Sequence, residues 1–472
     1  MRRIFSLARK LKYQSLLVEK ISETDCPLLA EENAALRLRR PDFQRSEVDR
    51  ISFFRTPADH QPADFCGYVV FKRDFFAGPP QRRSHVYESV LDPPRQSDQN
   101  NFIHCHRSYN IKTSAGDFSV RGVLYAQQND LTFVCAHVAL RSALASVLPD
   151  ADISYARINA LVGVNHTTKT VGDSVGLGPP DFETVFNNLG IHYQKLVHEP
   201  KQQLLLPTEF QRDLYGFIES GCPALVGFEL DQPNPGPKGQ SRHVIPVFGH
   251  TFNEDTWLPN AQHTYFGDTL SYYPSENWLS SFVVHDDNFG PYFCMPRHFL
   301  KKENFRLMYG LKPEPTPLSA VEAEAVGFAV IQAITNQFPP RGEDWYDRFV
   351  VYTRCGWLVL RSALVCKGKY LKHLESVRTW NGTGLEPELI ERLRNRLPES
   401  FWMIEASAPE LFATSRRKFG EVLLVANTPL PKPLDASMLI AARLPGLTLT
   451  QNNLQLDVKP TALQSHTPLL GS

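Results

Sequence analysis

Apolar positions change rhythm as the chain proceeds. From residue 1 to about 120 they come in short runs, Leu16 to Val18, Ile51 to Phe54, Tyr68 to Phe71 and Val120 to Tyr125, separated by Pro, Asp and Arg. Short runs bounded by turn formers predict a β-rich, irregular N-terminal region over 1–120. Between 77 and 101 lie Pro79, Pro80, Pro93 and Pro94 among many polar groups, which predicts a long loop.

The rhythm is clearest from 121 to 311. After Thr132, a candidate N-cap, apolar residues at 136, 140, 144 and 147 recur at helical spacing, with Arg141, Ser142 and Ser146 on the other side. Pro180 and Asp181 open a second helix carrying Phe182, Val185, Phe186 and Leu189, closed by Gly190. A strand is expected from Ile191 to Val197, then a third helix with Phe210, Leu214, Phe217 and Ile218 that stops at Gly221. Strand Ala224 to Leu230 follows, then a Pro/Gly loop, then a short strand from His243 to Phe248 ending at Gly249. Another strand runs from Phe282 to Val284. Helices first and an antiparallel sheet afterwards make an α+β order.

KPEPTPLS, residues 312 to 319, reads as a linker. Beyond it a helix around 320–336 and β-like runs at 349–353, 356–366, 401–406 and 421–426 predict a small α+β accessory domain over 320–450. The polar stretch 451–472 is expected to be a flexible tail.

Composition narrows the function classes. Fifty Lys and Arg balance fifty Asp and Glu, so nothing favours nucleic acid as partner. No run of about 18 apolar residues marks a membrane span. The apolar run in MRRIFSLARKLKYQ is broken by Arg9, Lys10 and Lys12, so no signal-peptide core forms, and a cytoplasmic protein is expected. The eight cysteines are scattered without a C-x-x-C pair, against both a disulfide scaffold and a zinc ribbon. No metal or other cofactor is expected.

One cysteine has chemistry around it. Cys135 falls in the first turn of the helix after Thr132, where unpaired amides and the helix dipole favour thiolate over thiol. His243 opens a strand after a flexible loop, where an imidazole can face a cleft as general base. Asp286, just past the next strand in VVHDDNFGPY, can orient that imidazole. Gln127 and Gln128 precede Cys135, and either amide can donate to an oxyanion beside the helix-start amides. Asp287 is the substitute for Asp286, and Asn288 a weaker one.

Other candidates read more simply as structure. His137 points away from Cys135 on the helix. His250 stands an odd offset from His243, and His285 alternates away from Asp286. His104, Cys105 and His106 lack a second ligand pair and read as a polar loop. Gly172, Gly176 and Gly178 mark the turn before Pro180 rather than a phosphate loop.

This ordered set resembles the papain-like cysteine peptidases, closest to the branch that removes double-glycine leaders from bacteriocins. The matching stretches are GCPALVGFEL (221–230), RHVIPVFGH (242–250) and FVVHDDNFGPY (282–292), so the resemblance covers roughly residues 120 to 300. It departs from that pattern in Ala136 and His137 after the cysteine, in the spacing of Gln128, and in a longer stretch from Asn253 to Ser281. The resemblance implies a helix bundle packed on an antiparallel sheet. It also implies an acyl-enzyme mechanism by Cys135, His243 and Asp286, with Gln128 at the oxyanion and a peptide or protein as substrate. Peptide or isopeptide hydrolysis is the leading reaction. Transamidation or acyl transfer through the same intermediate, and a peptidase-like binding module without catalysis, are the alternatives.

Overall fold

Burial at every second residue in strands, and at every third or fourth in helices, sorts the chain into layers. The computed structural model describes residues 2–57, 60–94, 101–103, 106–128, 135–150, 152–163, 177–197, 210–230, 241–252, 264–266, 270–300, 305–342, 344–378, 382–432, 434–452, 455–460 and 466–471. Among them stand eleven α-helices and several antiparallel sheets, a mixed α+β protein. Chain contacts define two compact units. One comprises Met1–Glu199, Gly221–Thr251 and Ser281–Pro313, the other Pro200–Ser220, Phe252–Ser280 and Glu314–Ser472. The grouping is not serial: the expected N-terminal region shares a unit with the helices after residue 121, and the helix at Phe210 belongs to the other unit.

The first unit begins with α1 (Arg2–Lys10), whose Ile4 and Ala8 lie one turn apart and are both buried. Its many cations hid that apolar pair from the pattern reading. Strands β1 (Ser15–Lys20), β2 (Phe43–Phe54), β3 (Phe65–Phe76) and β4 (Arg82–Leu91) form a sheet in chain order, with α2 (Pro27–Arg39) between the first two in sequence. Strand β4 stands inside the long loop expected over 77–101, of which 95–100 lie outside the described residues. Its Val86, Val90 and Leu91 are buried, and it pairs with β3 from Gly67↔Leu91 to Phe75↔Arg82. The four prolines sit outside the strand, where their missing N–H groups cost no ladder bonds.

After β5 (Asn101–Ile103) and the hairpin β6 (Arg107–Thr113) and β7 (Gly116–Gly122) come α3 (Cys135–Ala145), α4 (Tyr155–Val162) and α5 (Pro179–Asn188). Strands β8 (His192–Val197), β9 (Ala224–Leu230), β10 (Ser241–Phe252), β13 (Leu279–Asp286), β14 (Gly290–Pro296) and β15 (Phe305–Lys312) form the second sheet, ordered β14-β13-β10-β9-β15-β8. Ala136, Leu140 and Leu144 of α3 share one apolar cluster with Val185 and Phe186 of α5 and with Leu225 of β9. Arg141 and Ser142, expected on a solvent side of α3, are buried as well. Arg141 forms ion pairs with Asp152 at 2.7 Å and Glu88 at 3.0 Å and donates to the Tyr87 carbonyl, so that side of the helix also faces protein. Strand β10 continues past Gly249, where it was expected to end. Gly249 pairs with Ile103 of β5, and a Cβ there would lie 2.5 Å from the Phe102 carbonyl oxygen, so the glycine permits close approach rather than a stop.

In the second unit, α6 (Phe210–Glu219), β11 (Thr264–Phe266) and β12 (Leu270–Pro274) join α7 (Ala320–Gln337), α8 (Asp344–Arg354), β16 (Val359–Cys366), α9 (Lys367–Ser376) and α10 (Pro387–Arg396). Then come β17 (Ser400–Ser407), α11 (Pro409–Ser415), β18 (Arg417–Lys418), β19 (Gly420–Val425), β20 (Leu439–Leu444), β21 (Leu447–Asn452), β22 (Gln455–Pro460) and β23 (Thr467–Pro468). The eight-stranded sheet runs β11-β12-β16-β17-β19-β20-β21-β22. Leu360, Leu364, Trp402 and Ile404 join the core of α7 and α8, while the alternate residues Ala363, Val365, Phe401 and Met403 join that of α9 and α10. Residues 349–353 are helical rather than β, because Tyr346, Phe349, Val350 and Thr353 repeat at helical spacing and are buried. The end of the chain is also more ordered than a tail. Strand β22 pairs with β21, β23 pairs with β18, and Leu469 and Leu470 are buried. Among the described residues no helix is long and apolar enough to cross a membrane.

Candidate functional site

His243 is the third residue of β10, opposite Phe228 of β9, and its ring stands edge-on to the Phe228 ring at 5.5 Å. Its neighbour Val244 packs against the apolar cluster of α3, and His243 sits near the start of β10. There it is buried and meets Asp286, the last residue of β13, with Nε2 at 3.2 Å from Oδ2. A proton held on Nε2 by that carboxylate makes Nδ1 the lone-pair nitrogen of the neutral ring.

Asp286 is itself fixed. The β13–β14 pairing shifts register between Val284 and Asp286, and the Asp286 Oδ1 accepts from the amides of Asn288 at 2.7 Å and Phe289 at 2.9 Å. Burial alone would raise this carboxyl, but the His243 contact and the two amides outweigh it and hold it below the ordinary carboxylate range. Asp287 lies slightly further from His243 Nε2, at 3.7 Å. Burial pushes its carboxyl above the ordinary value and the charge on Asp286 adds to the effect; His243 and Gln128 only partly offset them.

Both glutamines reach this turn. Gln128 donates its amide to the Asp287 carboxylate. Gln127 accepts from the Val86 amide at 2.9 Å and donates to the Asp287 carbonyl at 3.3 Å, which stitches the segment before α3 to β4 and to the turn after β13. Gln127 is thereby occupied at both ends of its amide, whereas one Gln128 N–H is used by Asp287. Cys135 is the first residue of α3, but its side chain lies outside the described residues, as do 129–134 with the expected cap Thr132. The structure therefore brings together His243, Asp286, Asp287, Gln127 and Gln128, and places the α3 backbone in the same unit.

Among the described residues, His243, Asp286 and Asp287 form a group whose ligand atoms lie within 4.8 Å of one another, so these three residues could hold a metal ion. Such an ion would displace the proton that Asp286 orients on Nε2.

His137, His250 and His285 are buried structural residues. His137 Nε2 lies 2.7 Å from Asn159 Oδ1, and His250 is buried and stacks on Phe102. His285 is buried against Tyr125, Phe248 and Tyr292 with Nδ1 on the Leu124 carbonyl, and burial pushes its pKa down to about 3. His106 Nδ1 bonds the Ile103 carbonyl, Gly178 caps α5, and His104, Cys105, Gly172 and Gly176 lie outside the described residues. Burial raises the thiols of Cys26 and Cys294 and takes Cys66 to about 11, which leaves these three poorly suited as nucleophiles.

Arg3 of α1 carries no motif in the sequence, yet it supports the turn. Its Nη1 donates to the Phe289 carbonyl at 2.5 Å and its guanidinium lies 4.8 Å over the Phe289 ring. Comparison of the chain with protein families, curated proteins and solved structures gives no match.

Proposed function

We propose that the protein is a cysteine-dependent peptidase or isopeptidase, built on a papain-like pairing of helix α3 with the sheet that carries β9 and β10. The observation that carries this reading is the buried His243–Asp286 pair at 3.2 Å, with the acid locked by two backbone amides. An imidazole oriented in that way, in the same unit as a helix that opens on a cysteine, is the arrangement that ionises a thiol. In the reaction Nδ1 of His243 takes the Cys135 proton and the thiolate adds to the substrate carbonyl. The oxyanion is held by the Cys135 amide and the second N–H of Gln128. The imidazolium then returns its proton to the leaving amine, and water, deprotonated by His243, releases the acid and regenerates the thiol.

The test is alkylation of Cys135 with iodoacetamide across pH 5 to 9, followed by peptide mass spectrometry. It is run in a Cys355→Ser/Cys366→Ser background, because those two cysteines are exposed. The expected half-point lies well below the ordinary thiol value of about 8.5 and moves up to or beyond it in His243→Ala. EDTA is expected to leave the profile unchanged, since no step uses a metal. Equal profiles for the parent and His243→Ala would end the reading. An added primary amine distinguishes hydrolysis from acyl transfer by whether acid or amide is released from a peptide thioester.

A further inference from the structure

A groove of about 860 Å³ runs between α1 and β1, walled by Phe5, Tyr13, Leu16 and Phe53 with Arg2 and Arg9 beside them. Phe5 and Leu16 are 40% and 49% exposed, and Val18, two residues along β1 on the same face, is 54% exposed. β1 ends its sheet: it pairs with β2, and among the described residues no strand lies on its other side. An outer edge strand with two exposed apolar side chains is what folded proteins normally blunt. Residues 2 to 18 carry Arg2, Arg3, Arg9, Lys10 and Lys12 and no acid, while Glu19 of β1 is paired with Arg50 at 3.0 Å.

We propose that this groove docks an extended acidic peptide segment, with alternating apolar and carboxylate side chains, as an added strand on β1. The β1 edge supplies main-chain hydrogen bonds. Every second side chain of the guest falls on the Leu16 and Val18 face, and the guest's carboxylates meet the cations of α1. A lipid surface fits less well, because Ile4 and Ala8 of α1 are already buried in this unit's own core. A second copy of the chain would bring one cationic rim against another. Arg2 also lines a cavity of about 190 Å³ walled by Gln127, Asn288 and Gly290, so a guest in the groove lies alongside the turn that carries Asp286. The docking goes beyond the proposed hydrolase and does not require Cys135 to be a nucleophile.

The test uses the full chain and, in parallel, Cys135→Ala. A fluorescein-labelled ten-residue peptide of alternating Val and Glu is titrated by anisotropy beside its Val and Lys counterpart. The acidic peptide is expected to bind at least about tenfold more tightly, to weaken with added salt, and to slow amide exchange in β1. Leu16→Glu and Arg9→Glu, both at exposed positions, are each expected to weaken it about tenfold, with unchanged thermal unfolding as the folding control. Equal affinity for the two peptides, or indifference to both substitutions, overturns the proposal. So does Arg9-dependent binding of phosphatidylserine vesicles without peptide binding, or a dimer that forms with concentration and protects β1. Success or failure here is independent of the Cys135 alkylation profile, and the two readings fall separately.

Discussion

Asp286 and Asp287 are adjacent in sequence but electrostatically opposite, and geometry is the cause. Asp286 faces the imidazole and collects two amides, while Asp287 is buried beside another carboxylate with less to offset its desolvation. Asp286→Asn is therefore expected to raise the half-point of Cys135 alkylation and slow the reaction at pH 6 by about tenfold or more, because the ring loses its orienting charge. Asp287→Asn is expected to change it by less than about threefold. Alkylation rates of the two purified variants decide between the carboxylates. His285 makes a second prediction at this scale. Its folded pKa, about 3, lies below its unfolded value of about 6.5, so the stability it contributes is complete above pH 6.5. That contribution is lost as the pH falls toward 3. In thermal scans from pH 7.5 to 4, His285→Leu is expected to start lower, by about 1–3 kcal/mol for the orphaned Leu124 carbonyl, and to decline less steeply. Identical slopes for parent and variant would contradict it. A strand carrying His243 was legible in the sequence, although it starts earlier, at Ser241, and Asp286 ends β13 rather than following it. Which of two neighbouring acids lies nearer the histidine was not, because it depends on backbone geometry where β13 ends and its register shifts.

Helix α1 works on the site from outside it. Arg3 holds the Phe289 carbonyl, the Phe289 amide holds Asp286, and Asp286 holds His243. Gly290 completes the arrangement: its φ is +103°, and a Cβ there would lie 3.1 Å from the Arg3 Cβ. Arg3→Ala is expected to speed amide exchange at Asn288 and Phe289 and to shift the His243 titration followed by imidazole NMR, with Arg3→Lys recovering part of the change. Gly290→Ala is expected to cost about 1–3 kcal/mol in denaturant unfolding, since both backbone conformation and space oppose it. If neither the exchange nor the His243 titration moves in Arg3→Ala, α1 does not brace the turn. No sequence pattern announces such a contact between residues 286 positions apart. Elements with one clear period were legible: α5 and β9 stand where the spacing put them. Misreadings fell where two signals competed, as when prolines at its margins disguised β4 as loop, or β-branched residues Val350, Val351 and Thr353 gave α8 a strand-like run.

Across the whole molecule, fifty cations against fifty acids give a formal charge of zero, and that balance conceals two unlike distributions. One is the cationic segment of α1 and β1. The other is a closed network inside the second unit, where Glu219, Glu405 and Glu421 are matched by Arg361, Lys418 and Arg443, all buried. Lys418 bonds Glu405 and lies 2.8 Å from Glu421, Arg361 bridges Glu219 and Glu405, and Arg443 pairs with Glu421 at 2.7 Å. The Leu470 amide also donates to Glu405, which ties the end of the chain into the sheet. Burial would raise Glu405 and Glu421, yet the surrounding cations hold both below their ordinary 4.5. Their contribution is therefore complete above pH 4.5 and is lost as the pH falls through the lowered folded values. Removing one cation should be worse than removing a matched pair. Lys418→Met leaves two carboxylates out of water with one fewer partner, and is expected to cost about 3–5 kcal/mol in urea unfolding at pH 7. Lys418→Met with Glu405→Gln restores the charge balance and is expected to regain part of that loss. A double variant no more stable than the single one would mean that hydrogen-bond geometry, rather than charge neutrality, keeps this core folded.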